Sequence, residues 1–124
     1  MRMLGAGLVG LLCLLALGGP ATAGPPVSMN FTVVNIEYEG TKIWLPGTLV
    51  VPKGAHVTIK LINNVPSEPS EHGFAIPGYN IAEVVKRGEP KTVEFTADKA
   101  GSFPITCHLH PAHVGGQLVV LGQY

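Results

Sequence analysis

The chain has 124 residues, eight basic and eight acidic side chains and a formal charge of zero, and only 13% of its residues are charged. This length allows one domain and excludes a two-domain enzyme, while the balanced charge excludes the basic surface expected of a nucleic-acid-binding protein. A hydrophobic fraction of 46%, with 16 glycines and 11 prolines, indicates a compact and turn-rich fold rather than a disordered chain.

Residues 1–23 have the pattern of an export signal. Arg2 precedes an apolar run, and Pro20 with three small residues ends it, which predicts cleavage before Gly24. The run is shorter than the roughly 20 apolar residues that span a bilayer, which argues against an uncleaved anchor. We therefore expect a periplasmic or secreted protein whose single domain covers residues 24–124 and keeps no membrane span after cleavage.

Residues 24–124 predict an all-β domain. Short runs rich in β-branched and aromatic residues alternate with turn residues at a spacing of about 8 to 12 residues, as in β-sandwiches and barrels. In the clearest run Val57, Ile59 and Leu61 alternate with polar residues. The predicted strands cover residues 31–36, 49–51, 56–62, 73–76, 82–86, 91–96, 103–107 and 117–121. No stretch has a sustained helical period, so we expect antiparallel β-structure.

Cleavage of the signal removes Cys13 and leaves Cys107 as the single cysteine of the domain. No internal disulfide is then possible, and an unpaired thiol in an oxidising compartment is a liability unless something occupies the sulfur. Because side chains alternate along a strand, Cys107 is expected to share an inward face with Phe103 and Ile105. The sulfur can be an inert buried thiol, an intermolecular bridge or a metal thiolate, and its inward direction argues against a hydrolase.

Histidines near Cys107 favour the metal thiolate. His108, His110 and His113 follow it at short spacing, so one tight loop can supply several ligands to a single ion. A loop cannot enclose an ion alone, and His72, at the start of a predicted strand, is the candidate from elsewhere in the chain. Thiolate and neutral imidazole suit copper and zinc, whereas the scarcity of carboxylates argues against calcium or magnesium.

For several other polar residues the sequence leaves the role in a metal site undecided. Gln117 is the alternative to His113 as the fourth ligand, although imidazole is the commoner metal ligand. His108 is expected to point away from the sulfur toward solvent, and His56 lies on the polar face of its strand. Two glutamates could orient the ring of His72 through its second nitrogen, namely Glu68 and Glu71.

At these residues the sequence resembles the cupredoxins, the small exported copper proteins. The stretch from about Pro46 to Leu121 follows their pattern, from the Pro-Gly-Thr-Leu-Val-Val-Pro-Lys-Gly run to the ligand loop. Within that superfamily it is most similar to the nitrosocyanin family of red copper proteins, through Glu-His-Gly-Phe-Ala-Ile at 71–76 and Cys-His-Leu-His-Pro at 107–111. It departs from that family in having His72 where a glutamate stands and a shorter loop between the last two histidines.

The resemblance implies a cupredoxin-like antiparallel Greek-key β-sandwich with one mononuclear copper ion. It implies Cys107 as the thiolate ligand, His110 as an equatorial imidazole, His113 as the third loop ligand and His72 as the ligand from the other strand. His113 takes the place that a weak methionine occupies in most blue copper proteins. Because the axial ligand tunes a copper site, we expect a green-to-red oxidised protein rather than an intensely blue one.

The leading functional expectation is a non-catalytic electron carrier that works with redox partner proteins, which the sequence does not identify. One alternative is a copper site that binds or converts a small ligand such as nitric oxide. Another is copper handling or zinc binding without redox work, because one cysteine and three histidines also satisfy tetrahedral zinc. Nitrosocyanins assemble as trimers, so the resemblance leaves a homo-oligomer as a possible state of this protein.

Overall fold

The structure is a computed structural model that describes Gly19 and residues 24–122. The predicted export signal therefore lies outside the described residues, apart from Gly19. The regular elements, in chain order, are β1 Ser28–Tyr38, β2 Thr41–Leu45, β3 Thr48–Pro52, β4 His56–Asn63, β5 Glu71–Ile76, a 3-10 turn Pro77–Tyr79, β6 Ile81–Lys86, β7 Lys91–Thr96, β8 Gly101–Ile105 and β9 Gly116–Leu121. In this part of the chain no helix is long and apolar enough to cross a membrane.

The strands form two layers around one apolar core. The first sheet has the order β2-β1-β4-β7, and the second has the order β3-β9-β8. The β5-β6 hairpin joins the second layer through a bridge between Ala75 and Thr106, just past the end of β8. On β4, Val57, Ile59 and Leu61 are fully buried, as their alternation predicts. Each such side chain contributes roughly 1.5–3 kcal/mol by leaving water.

The expected all-β sandwich is confirmed, and its sheets are mixed. Four of the strand pairs are antiparallel, while β1 runs parallel to β4 and β3 runs parallel to β9. The two parallel pairs were not expected. Parallel neighbours need a crossover connection, and here the chain crosses to the opposite sheet and back between the paired strands. This long-range pairing leaves no trace in local alternation.

Strand β2 is absent from the sequence prediction, which has no strand between residues 36 and 49. Glu39 and Gly40 both have positive φ, 48° and 79°, and Tyr38 pairs directly with Thr41. Positive φ at both central residues is the geometry of a two-residue type I′ hairpin turn. The five residues after the turn therefore pair back on β1 and bury Trp44 against the core.

Candidate metal centre

The structure brings the four predicted ligand residues together at one end of the sandwich. Potential ligand atoms of His72, Cys107, His110 and His113 all lie within 4.8 Å of one another. The sulfur of Cys107 is 3.5 Å from Nδ1 of His110. The centroids of the three imidazole rings are 4.7 to 5.3 Å apart. One sulfur and three imidazoles therefore face a common point, although they come from separate parts of the chain.

Strand β5 aligns with the start of the ligand loop through backbone hydrogen bonds. Ala75 and Thr106 each donate an N–H to the other's carbonyl, at 2.9 Å. Two residues earlier on β5, the N–H of Gly73 donates to the sulfur of Cys107 at 3.2 Å. Cys107 lies just past the end of β8 rather than within the predicted strand 103–107, but its side chain is buried as expected.

Gly73 allows this close approach because it has no side chain. A Cβ at this position would lie 2.9 Å from the backbone nitrogen of His108 and 2.5 Å from its Nδ1. The ring could rotate away, but the backbone nitrogen could not move without shifting Cys107. His108 itself is exposed and does not join the cluster, as the sequence predicts.

The ligand loop is built from two successive turns. The N–H of His110 donates to the carbonyl of Cys107 at 3.2 Å, and the N–H of His113 donates to the carbonyl of His110 at 3.0 Å. Each turn advances the chain by three residues and returns a side chain to the same side. This is why the Cys-x2-His-x2-His spacing can direct three donors to one point.

The far end of the loop is fastened to β2 and to the turn after it. The N–H of Val114 donates to the carbonyl of Lys42 at 3.1 Å, and the N–H of Gln117 donates to the carbonyl of Gly47 at 2.8 Å. Gly116 sits so close to this turn that a Cβ there would be 2.1 Å from the Gly47 carbonyl oxygen. The glycine is required because two backbones meet.

The alternative ligand and the two glutamates that could orient His72 have other partners. Gln117 is exposed on β9, where its side-chain oxygen accepts a hydrogen bond from Ser102 at 3.0 Å, whereas His113 lies in the cluster. Glu71 forms an ion pair with Lys86 at 3.4 Å, and Glu68 forms one with Arg87 at 2.6 Å. Neither glutamate makes a hydrogen bond to His72.

The burial of His72 sets its charge. Its side chain is fully buried, and desolvation lowers its pKa to about 4, with His113, His110 and Lys42 acting in the same direction. Burial also lowers the pKa of His113, again with help from His110 and Lys42. Both rings are therefore neutral near pH 7, which is the form of imidazole that binds a metal.

The cluster fits a soft or borderline metal ion. Neither ring nitrogen of His72, nor Nδ1 of His113, has a hydrogen-bond partner, although these atoms are buried. An unsatisfied buried polar atom costs about 1–3 kcal/mol. A cation at the common point would satisfy one nitrogen of each ring and the sulfur together. The donor set of one thiolate and three imidazoles suits copper or zinc.

Trp44 and Gly73 belong to the site, and the sequence reading did not assign them to it. Nε1 of the buried Trp44 donates to the carbonyl of Gly73 at 2.8 Å, and its ring packs edge-to-face on Phe74 with centroids 5.4 Å apart. Trp44 thus holds the residue whose N–H reaches the sulfur. The available signal was the single tryptophan of the chain, placed in a short apolar run, Ile-Trp-Leu, soon after Glu39 and Gly40.

Comparison with known proteins finds one matching domain family and relatives that share part of this chain. The sequence profile of the cupredoxin-like domain matches residues 8–120. Nitrous-oxide reductase of Cupriavidus necator is 46% identical over 55 residues, which are 44% of this chain and 9% of that enzyme. Cytochrome c oxidase subunit 2 of Thermus thermophilus is 35% identical over 63 residues, which are 51% of this chain and 44% of that subunit.

The fold is also similar to solved structures of copper proteins. The Cu-containing nitrite reductase from Thermus scotoductus SA-01 superimposes with a TM-score of 0.61 and 25% identity, over 79% of this chain and 28% of that enzyme. The matched region spans less than half the length of each of these three relatives. The similarity therefore concerns one domain of larger proteins.

Proposed function

Since this chain belongs to the cupredoxin-like domain family, we propose that it is an exported protein that holds one copper ion and transfers electrons. The proposed ligands are His72, Cys107, His110 and His113. The observation that carries the proposal is the convergence of these four donors within 4.8 Å of one another at one end of a β-sandwich. Copper bound there would supply one-electron oxidation and reduction.

The chain's own residues support an electron carrier by holding the donors in place. His72 is fixed within β5, and Cys107 is fixed by the Gly73 N–H and by the adjoining Ala75–Thr106 bridge. His110 and His113 are held by the two turns of the loop. Donors that are already positioned need little rearrangement when the charge of the site changes, which favours rapid electron transfer.

The count of sulfurs supports a single ion. Within residues 24–122 Cys107 is the only cysteine, and it is buried without a disulfide partner. A centre that uses two thiolates would need a second sulfur there. The four donors also fill a tetrahedral set, which supports a carrier over a site that binds or converts a small molecule. Membership of the nitrosocyanin-like subgroup and assembly with redox partners or further copies remain parts of the proposal.

The first experiment is metal analysis and an oxidised visible spectrum of the full chain exported to a bacterial periplasm. We expect one copper per chain, a thiolate-to-copper band of a green or red protein, and reversible one-electron reduction. Substitution Cys107→Ser should abolish the band, whereas His56→Ala, at an exposed histidine of β4, should leave it unchanged. Zinc as the resident metal, or a copper form that cannot be reduced reversibly, would contradict the proposal.

A second experiment separates the carrier from a ligand-binding centre. Azide and nitric oxide are added to the oxidised protein while the thiolate-to-copper band is followed. Four protein donors predict no change in the position of that band. A saturable shift would mean that the ion has an open position, and the small-ligand function would then replace electron transfer.

A further inference from the structure

We propose that Asn35 is a positioning residue for His72, and that one buried water joins its carboxamide to the ring nitrogen of His72 that does not face the metal. This inference rests on the proposed copper site, because it assigns the second nitrogen of one of its ligands. It starts from a buried side chain that the fold alone does not explain.

Asn35 lies in β1 and is 1% exposed, yet neither its Oδ1 nor its Nδ2 has a hydrogen-bond partner. Buried polar groups in proteins are almost always satisfied by protein or by ordered water, and each unsatisfied one costs about 1–3 kcal/mol. A carboxamide with both ends unpaired is therefore a sign of a partner outside the protein atoms. A buried water takes two to four hydrogen bonds at such a site.

The neighbouring asparagine provides a contrast. Asn63 pairs with Asn35 across β1 and β4 and is 3% exposed. Its Nδ2 donates to the carbonyls of Ser70 and Val85, at 2.9 and 3.0 Å, and its Oδ1 accepts the N–H of Val65 at 3.0 Å. The carboxamide of a buried asparagine at this level of the sandwich can thus find all its hydrogen-bond partners within the protein. The carboxamide of Asn35 finds none there.

The strand register puts Asn35 between two residues whose side chains reach the backbone around His72. Trp44, Asn35 and Asn63 are neighbours on β2, β1 and β4, and cross-strand partners point to the same face of a sheet. Trp44 reaches the carbonyl of Gly73, directly after His72. Asn63 reaches the carbonyls of Ser70, two residues before His72, and of Val85, its partner on β6. Both neighbours of Asn35 therefore contact backbone on either side of the His72 ring.

His72 also has a ring nitrogen that requires a hydrogen-bond partner. One of its ring nitrogens would bind the metal, and a metal-bound imidazole almost always donates its other N–H to a carboxylate, a carbonyl or a water. The Pro69 backbone lies near the ring and raises its pKa as a hydrogen-bonding neighbour, but neither nitrogen of His72 has a partner in ordinary hydrogen-bond geometry. The nearby glutamates are paired with Lys86 and Arg87. Asn35 is the buried polar side chain of the first sheet that is left to complete the arrangement.

The test observes the His72 ring directly in the full chain labelled with ¹⁵N-histidine, both metal-free and loaded with Cu(I). Long-range ¹H–¹⁵N correlation spectra report the tautomer of each imidazole and the exchange of its N–H. In the wild-type chain we expect a single neutral tautomer of His72, with a ring N–H that is protected from exchange. We also expect nuclear Overhauser contacts from that N–H and from the Asn35 amide to one long-lived water.

Substitution Asn35→Leu removes the carboxamide and keeps a side chain that branches at the same carbon. We expect exchange of the His72 N–H to accelerate at least about 10-fold, and the Cu(I) dissociation constant, measured by competition with a chromophoric chelator, to rise about 10- to 100-fold. Asn35→Ser, which leaves room for a second water, should give intermediate values. Asn30→Leu, on the exposed face of the same strand, is the matched control and should change neither quantity.

The inference is overturned if both Asn35 variants keep the wild-type His72 exchange rate and Cu(I) affinity, even where their stability changes. It is also overturned if the wild-type spectra show the His72 N–H bonded to a backbone carbonyl with no contact to water. Failure of the wild-type chain to bind copper would instead refute the proposed function, because the contact between Asn35 and His72 is measured in the metal-free protein as well. If the leucine variant does not fold, the serine variant and the wild-type spectra still decide.

Discussion

Among single residues, Gly73 links the two parts of the candidate copper centre, which are strand β5 with His72 and the loop that begins at Cys107. Its carbonyl accepts a hydrogen bond from Trp44, its N–H donates to the sulfur of Cys107, and its missing side chain makes room for the backbone of His108. It follows His72 directly in the chain. One residue therefore couples the strand that carries the buried imidazole to the loop that carries the other donors.

Substitution Gly73→Ala should consequently disturb both stability and the metal site. The added Cβ would lie 2.9 Å from the backbone nitrogen of His108, so the loop must move. We expect a loss of about 1–3 kcal/mol in the free energy of unfolding, as for other overpacked sites, and a broadened or shifted thiolate-to-copper band. Denaturant unfolding and the visible spectrum measure the two effects.

Gly47→Ala is the control for this glycine substitution, because a Cβ at Gly47 would meet only the Trp44 carbonyl oxygen at 3.8 Å, which is an ordinary contact. Equal losses in the two variants would mean that the conformational freedom of glycine, rather than the close approach to His108, is what the fold requires at position 73.

The buried imidazole of His72 also predicts how the metal-free protein responds to acid. Its pKa is about 4 in the folded protein and near its ordinary value of 6.5 in the unfolded chain. Between these values the unfolded chain binds a proton that the folded protein does not bind, so stability is present above pH 6.5 and is lost as the pH falls toward 4. The loss amounts to at most about 3 kcal/mol.

Urea unfolding of the metal-free protein from pH 7.5 to pH 4 measures this slope. The variant His72→Gln should flatten it, while His56→Gln, at an exposed position, should not. A slope that is the same in His72→Gln as in the wild-type chain would assign the acid sensitivity to other groups.

Strand β2 has more influence on the site than its five residues suggest. It supplies Trp44, which holds Gly73, and the Lys42 carbonyl, which fastens the ligand loop at Val114. A parallel bridge between Ile43 and Val114 adds to the contact. The loop is therefore positioned by an edge strand of the opposite sheet, which explains how the two layers meet at the metal end of the sandwich.

The substitution Trp44→Phe tests this role. Phenylalanine keeps an aromatic ring against Phe74 but leaves the buried Gly73 carbonyl without its donor, which costs about 1–3 kcal/mol. We expect that loss in denaturant unfolding, together with a shift of the thiolate-to-copper band. Tyr38→Phe, at a side chain that is 63% exposed, should produce neither change. A stability loss without any spectral shift would confine Trp44 to packing.

At the scale of the whole molecule, the proposed ion would join two parts of the chain that are 35 residues apart, His72 on β5 and the loop that begins at Cys107. A ligand that binds the folded protein alone stabilises it by mass action. The apolar core cluster of the sandwich includes none of the four donor residues, so the core does not depend on the metal. The metal-free chain is therefore expected to fold and to gain stability on loading.

Thermal unfolding with and without Cu(I) measures this gain. At a free Cu(I) concentration 1,000-fold above the dissociation constant the expected stabilisation is about 4 kcal/mol, and a strong chelator should reverse it. Cys107→Ser should lose most of the gain, because it removes the sulfur donor. An equal gain in the wild-type and serine chains would show that copper binds elsewhere on the protein.

The sequence by itself determined the all-β class, most strand positions and three of the four residues that the structure brings together, His72, Cys107 and His110. Alternation and turn residues are local signals, and a thiol followed by histidines at spacings of three has few other uses. The tertiary structure decided the parallel pairs, the strand that carries Trp44, the place of His113 rather than Gln117 in the cluster, and the contacts around Gly73 and Asn35. Those features depend on which strands meet across the sandwich, and residues far apart in the chain acquire a common environment only when the layers have packed.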